Sequence, residues 1–127
     1  MTSPIADPER AAHAARLDAL ATRLKEEIRT TLLRVDADRY ALLAGQMVRD
    51  TKDQAIAQTV LETGVAEIER DARELADVEQ ARQRLAAGRY GRCVECDTVI
   101  PEARLEAWPT AKRCRPCQAQ HEQRRRG

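Results

Sequence analysis

The sequence is poor in aromatic residues and has no long apolar run. It contains no Phe, one Trp and two Tyr, so aromatic residues make up 2% of its 127 residues. Aromatic side chains supply much of the area that a compact core buries. Their scarcity predicts a helix-rich molecule with thin packing. No apolar segment approaches the roughly 18 residues that a membrane-spanning helix needs, so no membrane association is expected.

Other absences narrow the range of functions. There is no glycine-rich phosphate loop, and the start MTSPIADPER lacks the basic and apolar regions of a signal peptide. A cytoplasmic location is therefore expected, where cysteines hold metal more often than they form disulfides. The formal net charge of +1 gives no overall attraction to nucleic acid. The charge is unevenly distributed, since residues 49–87 are acidic and residues 88–127 are basic.

A first long helix begins at Asp7, Pro8 and Glu9. Asp is a favoured N-cap, Pro is tolerated at the first helical position, and Glu suits the positive end of the helix dipole. Up to about residue 48, no Pro and a single Gly interrupt the pattern. Apolar residues recur at spacings of mostly three and four, which predicts an apolar stripe on one face: Leu17, Leu20, Leu24, Ile28, Leu32, Val35, Leu42 and Leu43.

A second long helix is predicted from about Gln54 to Ala87, with Gly88 as its C-terminal stop. Its seam is close to a repeat of three and four residues, interrupted by Arg82: Leu61, Gly64, Ile68, Ala72, Leu75, Val78 and Leu85. Two such helices joined by a short polar segment hide their stripes by folding back on each other. An ordinary helical bundle or a dimer is the plainer alternative.

The strongest chemical signal is the segment CVECDTVIPEARLEAWPTAKRCRPC. Cys93 and Cys96 are followed, after seventeen residues, by Cys114 and Cys117. Two CxxC turns at this spacing bring four thiolates to the tetrahedral shell that Zn²⁺ favours. Four protein ligands leave no open position for water or substrate, so one structural zinc ion is predicted.

A redox pair and an iron–sulfur cluster are the alternatives to a zinc site. A thioredoxin-like redox pair would need a strand-helix-strand pattern, which the sequence does not have. An iron–sulfur cluster also takes four cysteines, and spacing alone does not exclude it. His121 follows Cys117 by four residues and is interpreted as a surface histidine, while His13 has no evident partner.

The predicted fold class is therefore mainly α. A long antiparallel coiled-coil hairpin is expected over residues 1–88, with its tip at residues 49–55. A small C-terminal four-cysteine zinc finger with a terminal helix is expected over residues 89–127. The second arm of the hairpin would be roughly 50 Å long at 1.5 Å per residue.

The segment YGRCVECDTVIPEARLEAWPTAKRCRPC resembles the zinc-finger signature of the DksA/TraR family of bacterial transcription factors. The likeness extends to the segment RDTKDQA, since DksA-type members carry an Asp-x-x-Asp-x-Ala motif at the coiled-coil tip. Asp50, Asp53 and Ala55 fit this motif, and Asp53 stands forty residues before Cys93.

The resemblance implies a regulator, not an enzyme, that binds RNA polymerase without sequence-specific DNA contact. In such proteins the hairpin enters the secondary channel, and the tip aspartates approach the catalytic region to change promoter complexes. A monomer is expected to be the active form. Helix capping by Asp50 and a favourable first-turn position of Asp53 are the structural alternative for the same residues.

The resemblance also has a limit. Several DksA proteins respond to guanosine tetraphosphate, which is clamped by basic residues at three positions that are Asp77, Trp108 and Gln118 here. None of them is a cation, which predicts little or no response to this alarmone through that site. Trp108 is expected to pack in the finger, with an exposed anchor for polymerase as the alternative.

Two rival functions remain open. The first is a zinc module that binds nucleic acid, motivated by nine basic residues in the last forty, among them Arg124, Arg125 and Arg126. A solvated basic terminus is the plainer interpretation of these three. The second is a transcript-cleavage factor whose tip aspartates hold Mg²⁺ at the polymerase active site.

Overall fold

The computed structural model describes residues 7–45 and 51–126. Four helices follow in chain order: α1 (Asp7–Gly45), α2 (Thr51–Ala86), α3 (Glu102–Ala107) and α4 (Arg115–Arg126). Over the described residues the only extended pairing is an isolated antiparallel bridge between Arg92 and Val99. The predicted mainly-α class is confirmed. None of the helices in these ranges is long and apolar enough to cross a membrane.

The chain forms two compact units, and each is described by itself. The cysteine unit comprises residues 1–21 and 77–127, and the helical unit comprises residues 22–76. Helices α1 and α2 each contribute residues to both units. The domain boundary predicted at residue 88 remains a prediction.

Helices α1 and α2 run antiparallel within each unit, as predicted. In the cysteine unit, Arg10 donates a hydrogen bond of 2.6 Å to the carbonyl oxygen of Leu85, and Asp18 pairs with Arg82 at 2.9 Å. In the helical unit, Arg34 pairs with Glu67 at 3.0 Å, and Val35 lies against Gly64. Residues later in α1 therefore contact residues earlier in α2, as they do in an antiparallel pair.

The buried seam of α1 differs in part from the predicted stripe. Leu32 and Leu43 were expected in it, but they are 46% and 58% exposed. Burial instead follows a regular alternation of three and four residues that passes through small and polar side chains. The residues of α1 on this seam are buried or half-buried: His13, Leu17, Ala21, Leu24, Ile28, Thr31, Val35, Asp38, Leu42 and Gly45.

The seam of α2 needs a similar correction. Gly64, Val78 and Leu85 are buried as predicted, and Leu61, Ile68 and Leu75 are half-buried. Ala72 is exposed, and the half-buried residue beside it is Asp71. Ala81 is fully buried next to the half-buried Arg82. The apolar pattern misses these positions because polar and small residues also occupy the seam.

Helix α2 ends at the glycine that the sequence predicts as its stop. Gly88 has φ of +76°, a conformation that glycine adopts without the steric cost of a Cβ atom. Its N–H donates to the carbonyl oxygen of Leu85 at 3.1 Å, and the N–H of Arg89 donates to that of Arg84 at 2.8 Å. These two bonds form a Schellman motif. They end the helix just before the first cysteine turn.

The core of the cysteine unit combines side chains from α1, α2 and the cysteine segment. Tyr90 is its largest fully buried residue, and its hydroxyl donates to the carbonyl oxygen of Pro109 at 2.7 Å. The other buried apolar residues in this unit are Leu17, Ala21, Val78, Ala81, Leu85, Cys93, Ile100, Leu105 and Ala111. One Tyr among small aliphatic residues fits the thin packing that the composition predicts.

His13 has partners in this core that the sequence did not reveal. It is 2% exposed, its ring lies 4.9 Å from that of Tyr90, and its Nε2 lies 3.3 Å from a carboxylate oxygen of Glu102. Arg16 approaches its Nδ1 at 3.1 Å. A guanidinium only donates, so Nδ1 accepts that bond and Nε2 carries the proton toward Glu102. His13 therefore ties α1 to the first turn of α3.

Candidate metal centre

The first cysteine turn is a short, strongly bent hairpin. The N–H of Cys93 donates to the carbonyl oxygen of Thr98 at 2.8 Å, and the N–H of Asp97 donates to that of Cys93 at 2.9 Å. Asp97 has φ of +64°, which Asp tolerates better than most residues. The bridge between Arg92 and Val99 closes the base of the turn. This geometry places Cys93 and Cys96 on one side of the bend.

The second cysteine turn is the start of a helix. Cys114 directly precedes α4, and Cys117 lies in its first turn. The N–H of Gln118 donates to the carbonyl oxygen of Cys114 at 2.9 Å, so Cys114 already accepts the first hydrogen bond of the helix. The start of α4 therefore fixes the position of both cysteines.

The two turns are joined by bonds outside the cysteines. The N–H of Val94 donates to the carbonyl oxygen of Lys112 at 2.9 Å, and Arg113 forms a 3.1 Å ion pair with Glu95. Arg104 of α3 donates from its Nε to the carbonyl oxygen of Arg113 at 3.2 Å. The protein thus holds both halves of the ligand set through its backbone and its ion pairs.

The four sulfur atoms have the spacing of a metal centre. The Sγ atoms of Cys93, Cys96, Cys114 and Cys117 all lie within 4.8 Å of one another, and those of Cys96 and Cys114 are 3.7 Å apart. A tetrahedron with Zn–S bonds of about 2.3 Å has sulfur atoms roughly 3.8 Å apart. The four predicted ligands are therefore brought close enough together to bind one zinc ion, with one sulfur pair already at the tetrahedral separation.

The electrostatics of the cluster also call for a cation. Burial raises the pKa of Cys93, but backbone groups of Cys114, Cys96 and Glu95 bond to its sulfur and bring that pKa down to about 6. In contrast, a hydrogen bond with the Cys114 thiol is the main reason that the pKa of Cys117 rises to about 12. Four thiolates at these distances repel one another, and a divalent ion relieves that repulsion.

Hydrogen bonds from outside the ligand set tune two of the sulfurs. The hydroxyl of Thr98 lies 2.9 Å from the Sγ of Cys96 and is the main cause of the lowered pKa of that thiol. The N–H of Glu95 donates to the Sγ of Cys93 at 3.4 Å. Partners of this kind orient metal ligands and stabilise their charged form. The sequence pattern alone did not identify Thr98.

The two histidines and Trp108 lie outside the ligand set. His121 is half-buried and does not belong to the cluster that the described residues form around the sulfurs. Burial is the main reason that its pKa is lowered. Trp108 is 41% exposed, and the guanidinium carbon of Arg104 lies 5.0 Å from its ring centroid. The expectation that Trp108 packs in the finger was therefore wrong, and its ring stacks with a cation instead.

The predicted tip residues are described only in part. Asp50 lies outside the described residues. Asp53 is exposed in the first turn of α2, a position where a carboxylate is favoured by the helix dipole, and Ala55 is exposed two residues further on. The position of Asp53 thus agrees with the alternative that its carboxylate stabilises the start of α2. A function of these residues at a tip remains a prediction.

The fold and the metal centre define a helical protein with an antiparallel helix pair and a four-cysteine zinc finger. Residues 88–123 match the prokaryotic dksA/traR C4-type zinc finger. The finger is therefore similar to those of that family, and the four cysteines are the ligands of one structural zinc ion.

The RNA polymerase-binding transcription factor DksA of Caulobacter vibrioides (strain NA1000 / CB15N) is 35% identical to the chain over 77 residues. The alignment covers 61% of this chain and 54% of that protein, and the same protein from strain ATCC 19089 / CIP 103742 / CB 15 gives the same values. The chain therefore spans about half the length of these curated relatives.

A solved structure, that of transcription factor DksA2 from Pseudomonas aeruginosa, resembles the chain over most of its length. The likeness covers 89% of this chain and 88% of that protein, with a TM-score of 0.54 and 26% sequence identity. The similarity therefore extends beyond the zinc finger to the helices.

Proposed function

We propose that the chain binds RNA polymerase and regulates transcription. The observation that supports this most strongly is the four-cysteine zinc centre in a fold that resembles DksA2 over 89% of the chain. The curated relatives are named as RNA polymerase-binding transcription factors. Structural zinc does no chemistry of its own here, because all four ligand positions belong to the protein. The zinc centre holds a binding surface together.

Within this proposal, the tip at residues 49–55 enters the secondary channel of the polymerase. Asp50, Asp53 and Ala55 are the contact residues, and their carboxylates alter the stability of promoter complexes near the catalytic region. The exposure of Asp53 and Ala55 supports this assignment, since both side chains are accessible to a partner. Carboxylates in a recessed, weakly screened site act more strongly than they would in bulk water.

The test compares two charge-removing substitutions on the same helix. Asp53→Asn removes a tip carboxylate, and Glu62→Gln removes an exposed carboxylate further along α2. Both variants should co-purify with core RNA polymerase, because the tip provides only part of the contact. Asp53→Asn, alone or with Asp50→Asn, should lose the effect on open-complex lifetime, and Glu62→Gln should retain it. Full activity of the Asp50→Asn/Asp53→Asn double variant would leave the aspartates with a capping role alone.

We also propose little or no dependence on guanosine tetraphosphate. The three positions that are basic in responsive relatives are an exposed Asp77, a Trp108 stacked on Arg104, and Gln118, whose amide donates to Glu122 at 3.0 Å. Arg104, which stacks on Trp108, has its Nε already bonded to the carbonyl oxygen of Arg113. The alarmone should not enhance the effect of the chain in a transcription assay. Enhancement that disappears when these three residues are changed would contradict this.

Nucleic-acid binding is the second candidate, favoured by three exposed arginines in the last turn of α4. Neutralising phosphates with these residues would make affinity fall steeply with salt. A direct titration of bare duplex DNA at two salt concentrations separates the candidates. Tight, steeply salt-dependent binding that is lost in Arg124→Gln/Arg125→Gln/Arg126→Gln would favour this function over polymerase binding.

A further inference from the structure

The cysteine unit has an open apolar groove between α3 and the start of α4. Its volume is about 740 Å³, and its two large exposed apolar side chains are Trp108 and Val99, which are 41% and 59% exposed. Single exposed apolar residues are ordinary on a protein surface, but a contiguous apolar groove marks a binding surface. The other apolar residues that line it are Pro101, Ala103, Ala107 and Pro116.

The protein holds the ring of Trp108 in position at the edge of this groove. The N–H of Trp108 donates to the carbonyl oxygen of Arg104 at 2.8 Å, and the guanidinium of Arg104 stacks on the ring. Arg104 is itself fixed by the 3.2 Å bond from its Nε to the carbonyl oxygen of Arg113. A side chain that is ordered before its partner binds loses little entropy on binding. Trp and Arg are also the residues that most often dominate the energy of protein interfaces.

The charged side chains that line the groove are of one sign. Arg104 and Arg115 contribute to its wall, and no Asp or Glu from residues 7–45 and 51–126 does so. Neither arginine forms an ion pair with a residue in these ranges. Arg115 is exposed, so its guanidinium is open to a partner. An interface is favoured when positive groups on one side meet negative groups on the other.

The zinc centre accounts for part of this positive charge. Cys96, Cys114 and Cys117 also line the groove, and a zinc ion with four thiolates carries a net charge of −2. Residues 88–127, however, contain nine Lys and Arg against five Asp and Glu, and this excess of four is larger than the charge of the centre. The surface around the groove therefore keeps a positive field, which attracts carboxylates.

We propose that this groove is a second contact with RNA polymerase, apart from the tip, and that it receives an apolar side chain flanked by carboxylates. The inference rests on the polymerase binding proposed above. The apolar side chain packs against Trp108 and Val99, and a carboxylate beside it pairs with Arg115. Arg104 is a positioning residue, because it holds the indole ring. The groove supplies affinity, whereas the tip supplies the effect on promoter complexes.

The experiment measures the affinity of the full zinc-loaded chain for purified core RNA polymerase. Trp108→Ala should lower this affinity about tenfold or more, because it removes the central apolar contact. At a concentration that saturates the polymerase, the same variant should still change open-complex lifetime, since its tip is intact. Asp53→Asn should show the opposite pattern, with affinity retained and the effect lost. Zinc content, measured with a chromogenic chelator, and helical ellipticity should equal those of the wild type in both variants.

Two matched pairs of substitutions separate the groove from the rest of the surface. Val99→Ser should lower affinity about fivefold, whereas Val94→Ser, at a site that is 51% exposed in the same cysteine turn but outside the groove, should leave it unchanged. Arg115→Gln should lower affinity and make it less sensitive to salt, because one ion pair is lost. Arg125→Gln carries the same charge change at an exposed position of α4 outside the groove and should alter neither property.

The outcomes distinguish this inference from the proposed function. Undiminished affinity of Trp108→Ala for polymerase would overturn the role of the groove and leave polymerase binding standing. Absence of polymerase binding by the wild type would overturn both. Equal losses in Val99→Ser and Val94→Ser would also contradict a contact at the groove. If Trp108→Ala instead loses affinity for bare duplex or single-stranded DNA and keeps its affinity for polymerase, the groove binds nucleic acid, because bases stack on Trp.

Discussion

At the scale of single residues, Tyr90 offers a direct test of the core of the cysteine unit. Its buried hydroxyl bonds the carbonyl oxygen of Pro109, so Tyr90→Phe removes one hydrogen bond and leaves that oxygen without it. We expect a loss of about 1 kcal/mol in the free energy of unfolding, measured by urea denaturation at fixed free zinc. Tyr40→Phe is the matched control, because Tyr40 is 76% exposed. Equal effects of the two substitutions would contradict the assignment.

Tyr90 should also make the stability of the folded chain depend on pH in the alkaline range. Desolvation raises the pKa of Tyr90 in the folded chain. The unfolded chain therefore loses this proton first, at the ordinary tyrosine pKa of about 10. Below that pH the residue adds no pH dependence, and above it stability falls as pH rises. Urea midpoints measured across this range should fall more steeply for the wild type than for Tyr90→Phe.

His13 makes a second residue-scale prediction, about its tautomer. Because Arg16 donates to Nδ1, the neutral ring should carry its proton on Nε2, facing Glu102. Long-range proton–nitrogen NMR at neutral pH distinguishes the two tautomers. Detection of the proton on Nδ1, or loss of the Nε2 tautomer in the control Glu9→Gln, would contradict this arrangement. Of these three substitutions, Glu102→Ala and Arg16→Met should change the ring environment and Glu9→Gln should not.

At the scale of helices, Gly64 marks the closest approach of α2 to α1 in the helical unit. A Cβ atom at this position would lie 2.7 Å from Cγ2 of Val35, a stiff and buried side chain. Gly64→Ala gains about 1 kcal/mol of helix propensity but overpacks the seam by roughly 1–3 kcal/mol. We expect a net loss of stability of about 1 kcal/mol by urea denaturation.

A double-mutant cycle provides the control for Gly64. Val35→Ala removes the clashing methyl groups, so Gly64→Ala should be neutral or stabilising in that background. The coupling between the two substitutions measures the contact between the helices. If their effects are simply additive, the helices do not meet at these residues.

Some of these contacts follow from the sequence and others do not. The four cysteines were predictable because their spacing and chemistry are local, and Gly88 was predictable because glycine is favoured where a helix ends with φ above zero. The partners of His13 were not, since Glu102 lies far away in the sequence. Leu32 and Leu43 were misassigned because apolarity was taken as the sign of burial, whereas the seam of α1 passes through Ala21, Thr31 and Asp38. In a helix of 39 residues, which residues lie in the buried seam depends on the helix that packs against it.

At the scale of the whole molecule, zinc should matter far more for one unit than for the other. The cysteine unit has a small apolar core, and structural zinc contributes on the order of 10 kcal/mol to the folding of such modules. The helical unit contains none of the four ligands. Chelation should therefore expose backbone amides of residues 88–126 while those of residues 22–76 stay protected.

Hydrogen exchange with mass spectrometry measures this prediction directly. Excess chelator should speed exchange over residues 88–126 and leave residues 22–76 unchanged, and added zinc should restore the original pattern. Helical ellipticity should fall only by a minor part, because α3 and α4 hold 6 and 12 residues against 39 and 36 in α1 and α2. Cys114→Ser should reproduce the effect without chelator, since three thiolates bind zinc more weakly than four. Uniform loss of protection along the chain would instead mean that the two units fold as one, with the zinc centre supporting both.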